Sequence, residues 1–198
     1  CALPIFEACN NGKPNQQDEL RQLLNSDLKF EENDDISGIL YLIGSGEILK
    51  IDTANYRDQL KKIWDLKKEK INMKDALLIS NAMFKIFQAK PNLIEELSYI
   101  NRELLKTLFE KISPEDPANQ RNLVQIFANL NEDKITLQMF RKEIFEIFPF
   151  FLGNITEPGL ISRFTLAYSR AVDRLDNENL TKLRRKVYRL NVKNRSEE

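Results

Sequence analysis

The chain has 198 residues, 42% of them hydrophobic and 30% charged, with 30 basic and 30 acidic side chains and a formal net charge of zero. That length and composition suit one domain, or one array of repeats, with a sizeable core, and the charge balance gives no global bias toward nucleic acid or membrane. Histidine is absent and both cysteines fall in the first nine residues, which excludes Ser-His-Asp and Cys-His catalysis, histidine-based zinc sites, the Glu-x-x-His di-iron bundle and a cysteine zinc site within the chain.

At the amino end, Cys1 and Cys9 flank "ALPIFEA", and the linker-like "ACNNGKPNQQ" follows. Residues 1–15 read as a flexible N-terminal segment with two free thiols, close enough to bridge in an oxidising compartment. A chain starting on Cys reads as processed or excised: a mature secreted protein, a lipid-anchored one, or a trimmed domain. Residues 16–192 read as a single all-α domain and 193–198 as a polar tail.

Within that domain nearly every segment has helical spacing. Leu20, Leu23, Leu24 and Leu28 form a first apolar stripe. Asp34 and Asp35 cap a second helix carrying Ile36, Ile39, Leu40 and Ile43. Gly44-Ser45-Gly46 follows, and reads as the glycine end of that helix, with the next starting soon after. A hairpin is the alternative. A phosphate loop is disfavoured because Leu49 stands where a dinucleotide fingerprint needs glycine, and no Gly-Lys-Ser/Thr occurs.

Tyr56, Leu60, Ile63 and Trp64 mark a third helix. Ala76, Leu77, Met83, Phe84 and Phe87 mark a fourth, ending before Pro91. Ile94, Leu97, Leu104, Leu105, Leu108 and Ile112 mark a long fifth, closed by Ser113-Pro114. Asp116-Pro117 opens a sixth with Leu123, Val124 and Phe127. Thr136 caps a seventh with Phe140, Ile144, Ile147, Phe148 and Phe151, ended at Gly153. Thr156 opens an eighth with Ile161, Phe164, Tyr168 and Val172. Asn177 opens a ninth with Leu180, Leu183, Val187 and Leu190.

Shifting the chain by 40 residues superposes apolar positions: Met83 on Leu123, Ile86 on Ile126, Phe87 on Phe127, Leu97 on Leu137 and Leu104 on Ile144. A period near 40 with two or three helices per unit resembles armadillo or HEAT repeats, with "IF" at 86–87 and 126–127 the clearest match. The resemblance covers about residues 36–190. It implies stacked helical hairpins acting as a protein-binding scaffold, although the armadillo glycine between the first two helices of each unit is missing. A closed helical bundle is the other architecture this pattern allows.

Chemistry left to such a chain would use carboxylates or lysines, and the best acidic pair is Asp34/Asp35. A terpenoid-synthase metal motif would need an acid at position 38, which is Gly38, so the pair reads as a helix cap. Glu31-Glu32, Glu95-Glu96, Glu115-Asp116 and Glu132-Asp133 suit helix starts or polar faces. No cofactor, metal or catalytic residue is expected.

Charge alternates along the chain: residues 1–60 carry 5 basic and 11 acidic side chains, 61–90 carry 8 and 3, 91–135 carry 5 and 8, and 136–198 carry 12 and 8. The sharpest concentration is "KLRRKVYRLNVKNR", 182–195, with seven basic residues and no acid. There Lys182, Arg185, Lys186, Arg189 and Lys193 share a helical face, which suits an acidic partner, an RNA backbone or anionic lipid; with only Tyr188 to stack, specific nucleic-acid reading is not expected. The bland reading is a capping helix with a solvated face.

Phe140, Phe145, Phe148, Phe150 and Phe151 make a second cluster, kinked at Pro149. Three of them share the core face, while Phe145 and Phe150 point elsewhere and are partner-contact candidates. The expectation is thus a non-enzymatic interaction module for another protein, set in the cytoplasm. A secreted or surface-anchored bundle is the alternative, supported by sequons at Asn154, Asn179 and Asn194, and an all-α enzyme is a third.

Overall fold

A computed structural model describes residues 2–12, 14–26, 28–111, 117–139 and 157–173, with positions 185 and 188. The fold is all-α: among the described residues there are nine α-helices and no strand. They are α1 (Leu3–Asn11), α2 (Pro14–Leu24), α3 (Ile36–Leu49), α4 (Ala54–Lys67), α5 (Met73–Ala89), α6 (Ile94–Lys111), α7 (Pro117–Asn129), α8 (Lys134–Met139) and α9 (Pro158–Asp173). Single 3₁₀ turns precede α5, α6 and α8. The chain falls into two compact units, residues 1–107 and 108–198.

Unit 1 is organised around α3, which packs against α1, α2, α4 and α5. Asp35 starts it, accepting from the amides of Ser37 and Gly38 and from the Ser37 hydroxyl. Ile39, Leu40 and Ile43 are almost wholly buried, and so are Tyr41, Gly44, Ser45 and Gly46 on other faces. A helix covered on all sides has no polar face, which is the pattern of a core helix.

The expected break at Gly44-Ser45-Gly46 does not occur. The helix runs through it and ends at Lys50, a non-glycine in the left-handed region at φ 61° whose amide bonds back to Glu47 and Gly46. The glycines serve close approach instead. A Cβ on Gly44 would lie 2.9 Å from both Ile86 and Phe6, and one on Gly46 would overlap the Thr53 methyl. The helical cost of glycine, about 1 kcal/mol, is outweighed by the backbone contact that it permits.

The segment expected to be flexible holds α1. Its Phe6 and Cys9 are buried, and Phe6 lies against Tyr41 with ring centroids 5.4 Å apart. Nine residues are too few for an isolated helix; packing on α3 supplies the stability. Leu28, placed on the first stripe by its spacing, lies beyond α2. The Ser26 hydroxyl closes that helix on the Leu23 carbonyl, and Gln59 of α4 holds the following backbone at Leu28 and Phe30.

α4 buries one stripe, Tyr56, Leu60, Ile63 and Trp64. Tyr56 donates to the Leu24 carbonyl and the Trp64 indole donates to Glu103 at 2.7 Å. α5 ends at Ala89, ahead of Pro91 as expected.

In unit 2, α7 packs on α9, with Phe127 edge-on to Phe164. α7 begins on Pro117 as its sequence predicts. The cap of α8 is Asp133, not Thr136: the Asp133 carboxylate accepts from the Thr136 amide at 3.0 Å and its hydroxyl at 2.7 Å. Asp133 is fully buried, so these two bonds, both donated by Thr136, satisfy a polar group that would otherwise be costly there. Ile112, Asp116, Thr156, the predicted helix beyond residue 139 and, apart from positions 185 and 188, the predicted ninth helix lie outside the described residues.

The 40-residue register survives in the element ends. α5 and α7 end at Ala89 and Asn129, and α6 and α8 begin at Ile94 and Lys134. Met83, Ile86, Phe87 and Leu97 are buried, as are Leu123, Ile126, Phe127 and Leu137.

Candidate interaction cleft

Unit 1 has an open cleft of about 470 Å³ where the starts of α3 and α5 meet the end of α4. Its position follows from local rules. Asp35 caps α3, and the Asn72 side chain caps α5 through the Asp75 amide at 3.0 Å. Lys67, in the last turn of α4, donates to the Asp34 carbonyl at 2.9 Å and ties that end to the loop before α3. A cation in a last turn is also favoured by the helix dipole.

Ile36, Ile71, Leu78 and Ile79 give the cleft an apolar lining. Leu78 is 42% exposed, which is high for a leucine already at a concave surface. Lys67, Lys70 and Lys74 supply cations, and Glu32, Asp35 and Asp75 supply acids. These charges differ in availability. Asp35 is committed to its cap and Lys67 to a carbonyl. Lys70 and Lys74 are exposed and make no ion pair among the described residues.

Unit 2 has a smaller concavity of about 320 Å³ beside the start of α9. Its Arg121 is already spent on Glu157, donating through Nε and Nη2 at 3.1 and 2.8 Å. Gln125 donates to Asn129.

Several ionisable groups have displaced pKa values, and none of them lines the cleft. Burial pushes the Cys9 thiol up against an opposing hydrogen bond with Ser45, which makes it a poor nucleophile. Burial also raises Tyr41, helped by Glu7 and Asp35, and takes Tyr99 to about 12, helped by Asp65 and Glu103. Hydrogen bonds to Asp65 and Glu103 raise Lys68. Among the described residues no cluster of three or more acids or cysteines is placed to hold a metal ion, and no helix is long and apolar enough to cross a membrane.

Of the predicted partner-binding residues, Arg185 is helical and exposed, as is its neighbour Tyr188. Lys182, Lys186, Arg189, Lys193, Phe145 and Phe150 lie outside the described residues, as do the three sequons. The cleft was not singled out from sequence. The available signal was the excess of lysine in residues 61–90, which Lys67, Lys70 and Lys74 share. Comparison with family models, curated proteins and solved structures finds no match to this chain.

Proposed function

We propose that the chain is a non-enzymatic interaction module that binds a segment of another protein, and that the cleft of unit 1 receives it. One observation carries this reading: an apolar lining stands beside two lysines, Lys70 and Lys74, that have no ion pair among the described residues. A short acidic segment answers that chemistry, with an apolar side chain against Ile71 and Leu78 and carboxylates at Lys70 and Lys74. The acids Glu32 and Asp75 on the same lining favour a segment with one basic residue over a uniformly acidic one.

The matched ends of α5/α6 and α7/α8 support armadillo- or HEAT-like units, an architecture used for extended binding surfaces. Asp34 and Asp35, the acids best suited to metal chemistry by sequence, support the non-enzymatic reading. Asp35 takes three hydrogen bonds within its own cap, and Asp34 accepts from the Glu31 amide.

The test is affinity selection of acidic-apolar peptides on the folded chain, followed by Kd measurement on three variants. K70E/K74E should weaken the selected peptide on the order of tenfold, since each exposed pair contributes up to about 1 kcal/mol and reversal turns attraction to repulsion. Leu78→Ala should weaken it by a similar factor. The charge reversal R185E/K186E/R189E should leave the Kd unchanged. Unchanged affinity in K70E/K74E and loss in the C-terminal reversal would move the binding surface to residues 182–195.

A further inference from the structure

We propose that Asn11 is a site of spontaneous deamidation, through a cyclic imide formed with Gly12. The inference is independent of the cleft. Asn11-Gly12 is the one Asn-Gly pair in the chain. It falls at the end of α1, where the structure removes each obstacle to reaction.

Imide formation requires the backbone nitrogen of the following residue to attack the side-chain carbonyl carbon. That nitrogen must be unbonded and uncrowded, and the asparagine must leave the helical conformation. Gly12 has no Cβ and is extended at φ −75° and ψ 158°. Its N–H makes no hydrogen bond among the described residues. Asn10 and Asn11 are both exposed, and Asn11 has no side-chain partner there either.

The last firmly held residue of α1 is Cys9, 1% exposed, whose carbonyl accepts from the Gln17 amide at 3.2 Å. Beyond it the helix has no capping bond and no cation in its last turn. Such an end frays at almost no free-energy cost. Asn11 therefore reaches the reactive conformation while Phe6 and Cys9 stay seated.

The step balances without a co-reactant other than water. The Gly12 nitrogen bonds to Cγ of Asn11, its proton leaves with the side-chain amine as ammonia, and a five-membered imide results. Water then opens the imide at either carbonyl, giving aspartate or isoaspartate. Either product places a carboxylate at the negative end of the α1 dipole, and isoaspartate adds a methylene to the backbone between α1 and α2.

The test is peptide mapping of the folded, purified chain aged at mildly alkaline pH, with isoaspartate labelled by a methyltransferase. Aspartate and isoaspartate should accumulate at position 11 while the exposed Asn10, Asn33 and Asn92 keep their amides. Gly12→Ala, which φ −75° accommodates, should slow the reaction on the order of tenfold by hindering attack and narrowing the backbone. Loss of the amide in the urea-unfolded chain but not in the folded one would overturn the proposal, showing that α1 holds its end closed. An unchanged rate in Gly12→Ala would overturn it too.

Discussion

Helices α3 and α4 are neighbours of equal length, yet they follow opposite rules. α4 buries four of its 14 residues on one stripe, while α3 buries ten of its 14. α4 is a surface helix whose period is its signal. α3 is a core helix whose glycines set how closely α1 and α5 approach. The contrast shows that a glycine pair read as a chain break can mark the most buried helix of a unit.

The largest effect expected belongs to α4. Trp64→Ala removes a side chain only 1% exposed and should cost about 3–5 kcal/mol in urea unfolding. Trp64→Phe should cost clearly less, because Glu103 keeps 41% side-chain exposure and water can replace the indole. Equal losses would mean that the hydrogen bond, not the packing, anchors α4.

The glycines of α3 sharpen the comparison. Gly44→Ala should destabilise by about 1–3 kcal/mol by overpacking against Phe6 and Ile86. Gly38→Ala meets nothing closer than 3.7 Å and should stabilise by up to about 1 kcal/mol through helix propensity. The same substitution thus carries opposite signs six residues apart, measurable as opposite shifts of the urea midpoint. A stabilising Gly44→Ala would break the account of α3.

Asp35→Ala should cost about 1 kcal/mol by leaving the first amides of α3 without an acceptor, a smaller loss than at Trp64. The smallest effect is pH-dependent. Folded Tyr99 holds its proton to about 12, against 10.0 for an unperturbed tyrosine. Its contribution is therefore full below pH 10 and falls as pH rises toward 12. Tyr99→Phe should lose less stability across that window, read by thermal melts at stepped pH.

Legibility followed the same divide. The stripe of α4, the proline start of α7 and the Asp35 cap could be read because each is a local rule with a local consequence. The run of α3 through Gly44 could not, because the partners that reward it, Phe6 and Ile86, are about forty residues away in either direction. α1 was hidden for the same reason, although Pro4 near its start and the spacing of Phe6 and Cys9 were visible cues. At α8 the cap is Asp133, three residues before the expected Thr136, and it holds both the amide and the hydroxyl of that threonine. The lysines of the cleft stood in a recognisable basic block, but which of them remain unpaired depends on tertiary partners such as the Asp34 carbonyl.

The most direct measurement on the central claim is amide chemical-shift mapping of the chain while a selected acidic-apolar peptide is titrated in. The account predicts shifts concentrated in residues 32–38 and 67–79, at the starts of α3 and α5 and the end of α4. Shifts concentrated at residues 182–195, with the cleft silent, would contradict it.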